Sequence, residues 1–373
     1  MPSSIRESAF SEISDTLSTA GQWQLAWIKF RQNRVALVSG VILALMYLMT
    51  LFSGFLAPYE PDHRFARRAY VPPQGLHLFS PYGLHLPFAY GLTERLDQAG
   101  RTIFEHDTKR RYPLQLFVRG DTHSFLGFET DLHLFGIDGG DKEGLFLFGT
   151  DRQGRDLLSR ILYGARISLT IGLIGVTISV VLGAVLGVTS GYFGGWVDEL
   201  MQRTVEMLRA FPQIPLWMAL SAAIPPDVDQ ITSYFMITLI LSLLGWTSLA
   251  RIVRGKVLSL RSEEFVMAAQ LMGASHKRVI FRHLIPGVLG EIIVVATIAV
   301  PTMILAESAL SFLNLGIRPP MTSWGVLLQE GRNLSTLHFH QWLLLPALFI
   351  VITVLSFNFL GDAFRDAADP YTE

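Results

Sequence analysis

Few side chains in this sequence are placed to make or break bonds. His77, His85, His106, His123 and His133 are scattered through one long loop, and no pair has a recurrent ligand spacing. Surface or core imidazoles are the plainer reading there than a metal site. No G-x-x-x-x-G-K-[ST] phosphate loop occurs, so the chain does not itself bind ATP in that manner, and H-E-x-x-H, CxxC and G-x-S-x-G are also missing. The absence of cysteine removes disulfides, thiolate metal sites and thiol nucleophiles together. Glu291 and Glu307 stand near opposite ends of one apolar run, where they can reach interfaces or cavities. A proton relay through them is the less favoured reading.

The more informative stretch is SEEFVMAAQLMGASHKRVIFRHLIPG, Ser262 to Gly287. It is too charged for lipid and too regular for a slack linker. Ser262 is placed as an N-cap, with Glu263 and Glu264 in the first turn, where carboxylates suit the positive helix end. At ~100° per residue, Phe265, Ala268, Ala269 and Met272 share one apolar face. The small residues at its centre let another protein approach closely. Gly273 stops this helix, and Ser275 caps a second one carrying HKRVIFRHL to Pro286. The spacing predicts a short helix, a tight turn and a second helix. Such a unit docks a partner, or, as the alternative, lies flat on lipid.

The elements around it are membrane-crossing ones. The 373 residues are 50% hydrophobic and only 16% charged, which leans away from soluble domains. A net charge of −1 gives no basic excess for nucleic acid. A crossing helix needs roughly 20 apolar residues. Six runs approach that length: Val35–Pro58, Ile167–Val197, Ala210–Pro226, Gln230–Ala250, Leu284–Leu310 and Trp342–Leu360. The third is the weakest, being short and holding FPQIP, and an odd count results if the third or fifth does not span. Lys29, Arg31 and Arg34 precede the first run, and Arg251, Arg254, Lys256, Arg261, Lys277, Arg278 and Arg282 lie between the fourth and fifth. The positive-inside rule puts both sets, and both termini, in the cytoplasm. The first run reads as an uncleaved anchor. Trp23, Trp27 and Phe30 recur at helical spacing just before it, as in an interfacial helix or a plain extension of the span. Residues 59–147 face outside, and short alternating runs (PLQLFVRG, HSFLGF, DLHLFGI, GLFLFGT) predict a small β-rich domain. The second run offers small-residue faces at Gly172, Ser179, Gly183 and Gly187 for close helix packing or for lining a path.

EEFVMAAQLMGASHKRVIFRHLIPG resembles the cytoplasmic EAA-type loop of bacterial ABC importer permeases, on the Ala268–Ala269 pair, Gly273 and the closing HLIP. Met267 stands where that family often has an acid, as is usual in its oligopeptide/dipeptide branch, whose E-[YF]-V-x-A-A form Glu264, Phe265 and Val266 fit. FGTDRQGRDLLSRILYGARISLTIGL (Phe148–Leu173) and LSFLNLGIRPPMTSWGVLLQEG (Leu310–Gly331) are similar to segments of the second, C-type membrane subunit of that branch, with Asn314 in place of a common Gly. The resemblance covers Trp23–Pro58 and Phe148–Pro370, and the segment 62–147 is the chief departure. It implies an all-α polytopic membrane protein of six transmembrane helices, the type I permease fold, with the β-rich domain inserted. The parts are a cytoplasmic segment 1–34, a first helix 35–58, the periplasmic insert 59–147, and a core 148–373 with its coupling loop 251–286. It further implies a non-enzymatic subunit of the bacterial inner membrane, in contact with lipid, that passes di- or oligopeptides or related solutes. The implied partners are a homologous second permease, two ABC ATPases that hold the ATP and Mg, and a periplasmic solute-binding protein. This chain then carries no cofactor, and Glu264, Phe265, Ala268, Ala269, Met272, Gly273, Ala274, Ser275 and His276 meet the ATPase. A lone proton-coupled transporter and a non-transporting receptor or scaffold are the alternatives.

Overall fold

The computed structural model describes residues 29–368 except 81–82, 99, 101, 126, 140–142 and 226. Trp23 and Trp27 of the expected interfacial helix lie outside the described residues. Twelve helices are labelled below, in chain order. The first is α1, Arg34–Leu51, which Asn33 caps by accepting from the Ala36 N–H at 3.1 Å. It ends at Phe52, followed by the short α2 (Ser53–Leu56). The long helices after the insert are α3 (Leu157–Phe193) and α6 (Gln230–Leu260), with α4 (Gly195–Arg209) and α5 (Gln213–Ala222) between them. Then come α7 (Glu264–Leu271), α8 (His276–Val279), a π-helical turn Ile280–Leu284, and α9 (Ile285–Phe312). The chain closes with α10 (Trp324–Leu328), α11 (Leu334–Phe339) and α12 (Leu345–Ala368).

Among the described residues, five helical stretches are long and apolar enough to cross a membrane: 34–51, 157–193, 230–260, 276–312 and 341–367. The expected third span, Ala210–Pro226, is not among them. Pro212 lacks an N–H and breaks the helix there, leaving the 10-residue α5, which covers only about 15 Å. The observed set is thus five long helices and a short one, not six long ones.

The packing direction of α3 and α6 follows from small residues. Tyr234 Oη donates to Thr170 Oγ1 at 3.0 Å, and Ser242 Oγ donates to the Gly175 carbonyl at 3.1 Å. Further along, a Cβ on Gly183 would lie 2.9 Å from the Trp246 carbonyl oxygen, and one on Gly187 2.6 Å from that of Ala250. Partner numbers rise together, so α3 and α6 run parallel, in contact over most of their lengths. No side chain fits at Gly187 against fixed backbone. Gly187→Leu is expected to lower the thermal midpoint of the detergent-purified chain by several degrees, since overpacking costs about 1–3 kcal/mol. Gly255→Leu in α6, where a Cβ meets nothing within 4 Å, is the matched control. Equal midpoints for the two would refute the close approach.

The antiparallel helices α9 and α12 complete the bundle. Gly172 of α3 receives Ile304, Leu260 of α6 sits over Gly287, and Gly361 of α12 receives Ile298. Met46 of α1 meets Thr353 of α12. The start of α1, the end of α6, the start of α9 and the end of α12 therefore share one end of the bundle.

The insert lies at the other end. Its four strands, β1 (His77–Ser80), β2 (Gly83–Leu96), β3 (Thr102–Phe125) and β4 (Phe128–Ile137), form one antiparallel sheet in chain order. PLQLFVRG and HSFLGF are not separate strands: the first and the opening half of the second belong to the 24-residue β3, and Phe128 begins β4. GLFLFGT is not a strand. Leu145 and Phe146 are fully buried in an irregular segment, Phe146 edge-on to Phe65 with Val71 and Leu92 around it. Alternation there reflects burial in a coil whose backbone bonds to side chains: the Gln74 amide oxygen accepts from Phe146 N–H at 2.7 Å.

Candidate functional site

The segment between α6 and α9 forms two helices around one turn, as its spacing requires. Ser262 does not cap α7; its hydroxyl donates back to the Ser259 carbonyl at 2.8 Å, and Glu263 occupies the cap position. Glu264 stands in the first turn. The helix ends in a Schellman turn. Gly273 N–H donates to Gln270 O at 2.9 Å, and Ala274 N–H to Ala269 O at 3.0 Å. Gly273 holds φ at +80°, the left-handed region where a Cβ is strained. Ser275 then caps α8, accepting from Arg278 N–H.

Two findings differ from the helical-wheel expectation. Ala269 is 6% exposed and turns inward with Val266, so it belongs to the seat of α7 and not to its offered face. Val266 joins Val188, Leu249, Val253, Val257, Val279 and Leu284 in one buried cluster drawn from five elements. The outward apolar face is Phe265, Ala268 and Met272, widened by Leu271, which is 89% exposed. A wheel gives angular spacing but not which arc meets the bundle; the Val266–Ala269 spacing was the available signal. The second helix is also not separate, because α8 runs through the π-helical turn into α9 as one helical stretch, 276–312.

Polar contacts brace this end. Tyr192 Oη and His276 Nδ1 are 2.8 Å apart, and the His276 ring stands edge-on to Tyr192. Arg254 grips both carboxylate oxygens of Asp198. Arg261 donates to the Gly191 carbonyl at 3.2 Å, and Lys256 pairs with Glu291 at 3.0 Å. Exposed Phe265, Ala268, Leu271 and Met272 therefore stand on a braced platform rather than a slack loop.

The remaining polar candidates are structural in their geometry. Glu307 reaches neither an interface nor a cavity described here: it is 0% exposed and accepts from Ser311 Oγ at 2.7 Å, with Ser168 and Ser308 further out. Trp324 ties the same place together, donating from its backbone to Ser168 Oγ and from its indole to the Ile161 carbonyl, each at 3.1 Å. At the insert end, Asp151 accepts from Arg155 Nε at 2.7 Å and from Arg160, and Arg155 reaches Asp62 at 3.2 Å. Asn314 adopts φ +64°, which explains Asn or Gly at that position. His133 bonds to the Ala57 and Asp121 carbonyls at 2.6 and 2.9 Å, beside His123. Among the described residues no three His, Cys, Asp or Glu side chains are grouped to hold a metal.

The chain is a bundle of long apolar helices that carries a braced loop with an outward-facing apolar face, the build of a polytopic membrane protein. Comparison with known proteins agrees. Residues 179–373 match the family described as binding-protein-dependent transport system inner membrane component, and residues 21–73 match the N-terminal TM domain of oligopeptide transport permease C. The chain is 45% identical over 229 residues to the oligopeptide transport system permease protein OppC of Haemophilus influenzae, covering 61% of this chain and 71% of that one. It is 32% identical over 354 residues to the dipeptide transport system permease protein DppC of Lactococcus lactis, covering 93% and 90%. An alignment of that extent runs through the inserted segment. A chain of the inward-facing MetNI methionine ABC transporter aligns at TM-score 0.43 and 18% identity, over 56% of this chain and 96% of that one. The chain belongs to the binding-protein-dependent inner-membrane permease family.

Proposed function

We propose that this chain is the C-type permease subunit of an ATP-driven importer that passes di- or oligopeptides delivered by a periplasmic binding protein. The observation that carries this reading is the braced loop fused to α9. ATPase closure pulling on α7 moves α8 and α9 as one body, and a lever needs that rigidity for one site to bias another. ATP and Mg belong to two partner ATPases, and a homologous second permease completes the path. Phe265, Ala268, Leu271 and Met272 form the contact; Ala269 and Gly273 shape it. Names of the relatives support the peptide class.

The parallel course of α3 and α6 supports a sixth crossing. Two parallel neighbours need one return through the membrane between them, and only α4 and α5 are available. The broken path through Phe211 and Pro212 makes it, which keeps the loop on the side of both termini, the cytoplasm by the positive-inside rule.

The proton-coupled alternative needs Glu291 and Glu307 in a relay. They are about 24 Å apart along the helix with no titratable side chain between them, and each has partners of its own. In proteoliposomes holding the full complex, peptide uptake is expected to require ATP, to persist with a protonophore, and to fall no more than about threefold in Glu307→Gln, a loss of under 1 kcal/mol. Uptake by this chain alone, collapsing with the proton gradient, would replace the importer reading by the rival.

A further inference from the structure

Between α1 and α12, on the outer surface of the bundle, runs an apolar groove of about 410 Å³. Val38, Ile42, Ile352, Leu355 and Phe359 form its walls, and Arg34 stands at its mouth. Its floor is small: Ser39 and Ser356 are both buried there. From Arg34 to Ile42 the groove descends about 12 Å along α1, close to the ~15 Å depth of one leaflet's hydrocarbon.

The mouth is cationic. Phe30 stacks on Phe364 with ring centroids 5.2 Å apart, which brings the residues before α1 alongside the end of α12. Arg31, Arg34 and Arg365 are exposed at this end, and among the described residues none of the three has an ion-pair partner. With Lys29 they outnumber the carboxylates among the described residues at this end, Asp362 and Asp366. Orientation in a membrane needs such cations but no groove. Here one of them lines an apolar channel of leaflet depth.

We propose that this groove is a binding site for an anionic phospholipid of the cytoplasmic leaflet. One acyl chain lies between α1 and α12, and the phosphate is held by Arg34 with Arg31 and Arg365 beside it. Guanidinium pairs with phosphate oxygens bidentately, and basic pockets between membrane helices suit anionic headgroups. The inference rests on the cytoplasmic placement of the α1 start argued above. That placement is tested separately in this cysteine-free chain by Gln32→Cys and a membrane-impermeant maleimide applied from either side.

The test uses the full chain in its assembled complex, extracted into nanodiscs from membranes containing phosphatidylglycerol and phosphatidylethanolamine. Native mass spectrometry is expected to show phosphatidylglycerol retained in preference. Arg34→Gln is expected to lower that retention about fivefold, with partial return in Arg34→Lys, given the weight of one cation near an anionic surface. Leu355→Trp, which fills the groove from an exposed wall, lowers it as well and serves if Arg34→Gln does not assemble. A photo-crosslinker at Val38 is expected to yield a lipid adduct. Equal retention of both lipids, unchanged retention in both variants, or a Val38 adduct to the second permease or to residues 1–28 would each overturn the site.

Discussion

Gly273→Pro is expected to abolish ATP-driven uptake while the chain still inserts and purifies with its long helices intact. The turn at Gly273 has φ +80°, and proline is confined near −65°. Proline also removes the N–H that donates to the Gln270 carbonyl at 2.9 Å. Both defects fall on one residue, so the Schellman turn cannot form and α7 must leave the chain in another direction. The bundle itself does not depend on this turn, because a Cβ at Gly273 meets nothing within 4 Å. The predicted loss is at least about 100-fold in uptake, which corresponds to ~2.7 kcal/mol of lost coupling. Gly273→Ala keeps the N–H and pays only left-handed strain, about 1–2 kcal/mol, so an intermediate, roughly tenfold loss is expected. Measuring uptake and ATPase rate in proteoliposomes of matched protein content checks both variants. Wild-type uptake in Gly273→Pro would show that the turn transmits nothing.

The loop between α6 and α9 shows where sequence was readable and where it was not. Gly273 was legible because a glycine closing a short, mostly apolar helix has one ordinary use, the left-handed stop. The long apolar runs were legible because uninterrupted length has few explanations, and α1, α3, α6, α9 and α12 follow them. Boundaries were less so: α3 begins at Leu157, ten residues before its apolar run, because its first turns are buried against Trp324 and the Asp151 cluster rather than in lipid. The third apolar run was misleading because hydropathy does not register the break at Pro212, which leaves a 10-residue helix beside the amphipathic α4, whose Asp198 is committed to Arg254. GLFLFGT misled because period-two alternation also arises in a coil buried between a strap and a sheet. The tertiary partner decides such cases, and Gln74 and Phe65 are 72 or more residues away.

The same limit applied to Ser262. A serine before two acids is a cap by pattern, yet the end of α6 offered its hydroxyl a carbonyl at 2.8 Å, and the helix began one residue later. What joins these elements mechanically is their shared cluster. Val257 from α6, Val266 from α7, Val279 from α8 and Val288 from α9 bury one another, so displacing α7 strains three neighbours together.

That cluster separates two substitutions that a helical wheel treats alike. Ala269→Glu is expected to abolish uptake by unseating α7. Its Cβ is nearly covered, and a carboxylate there would displace Val266 from its apolar contacts or be expelled with the whole helix. Leaving an unpaired charge buried costs more than about 3 kcal/mol, so the thermal midpoint of the isolated chain is expected to fall along with uptake. Met272→Glu acts differently. The side chain is 82% exposed, and surface changes of this sort move stability by no more than about 0.5 kcal/mol. Its midpoint is expected to match wild type, while affinity for the ATPase falls about 30-fold, the weight of an interface anchor of ~2 kcal/mol. Thermal scanning of the isolated chain and titration with purified ATPase distinguish the two. A Met272→Glu chain that binds the ATPase like wild type would move the contact off this face. An Ala269→Glu chain with an unchanged midpoint would return Ala269 to the contact surface that its spacing first predicted.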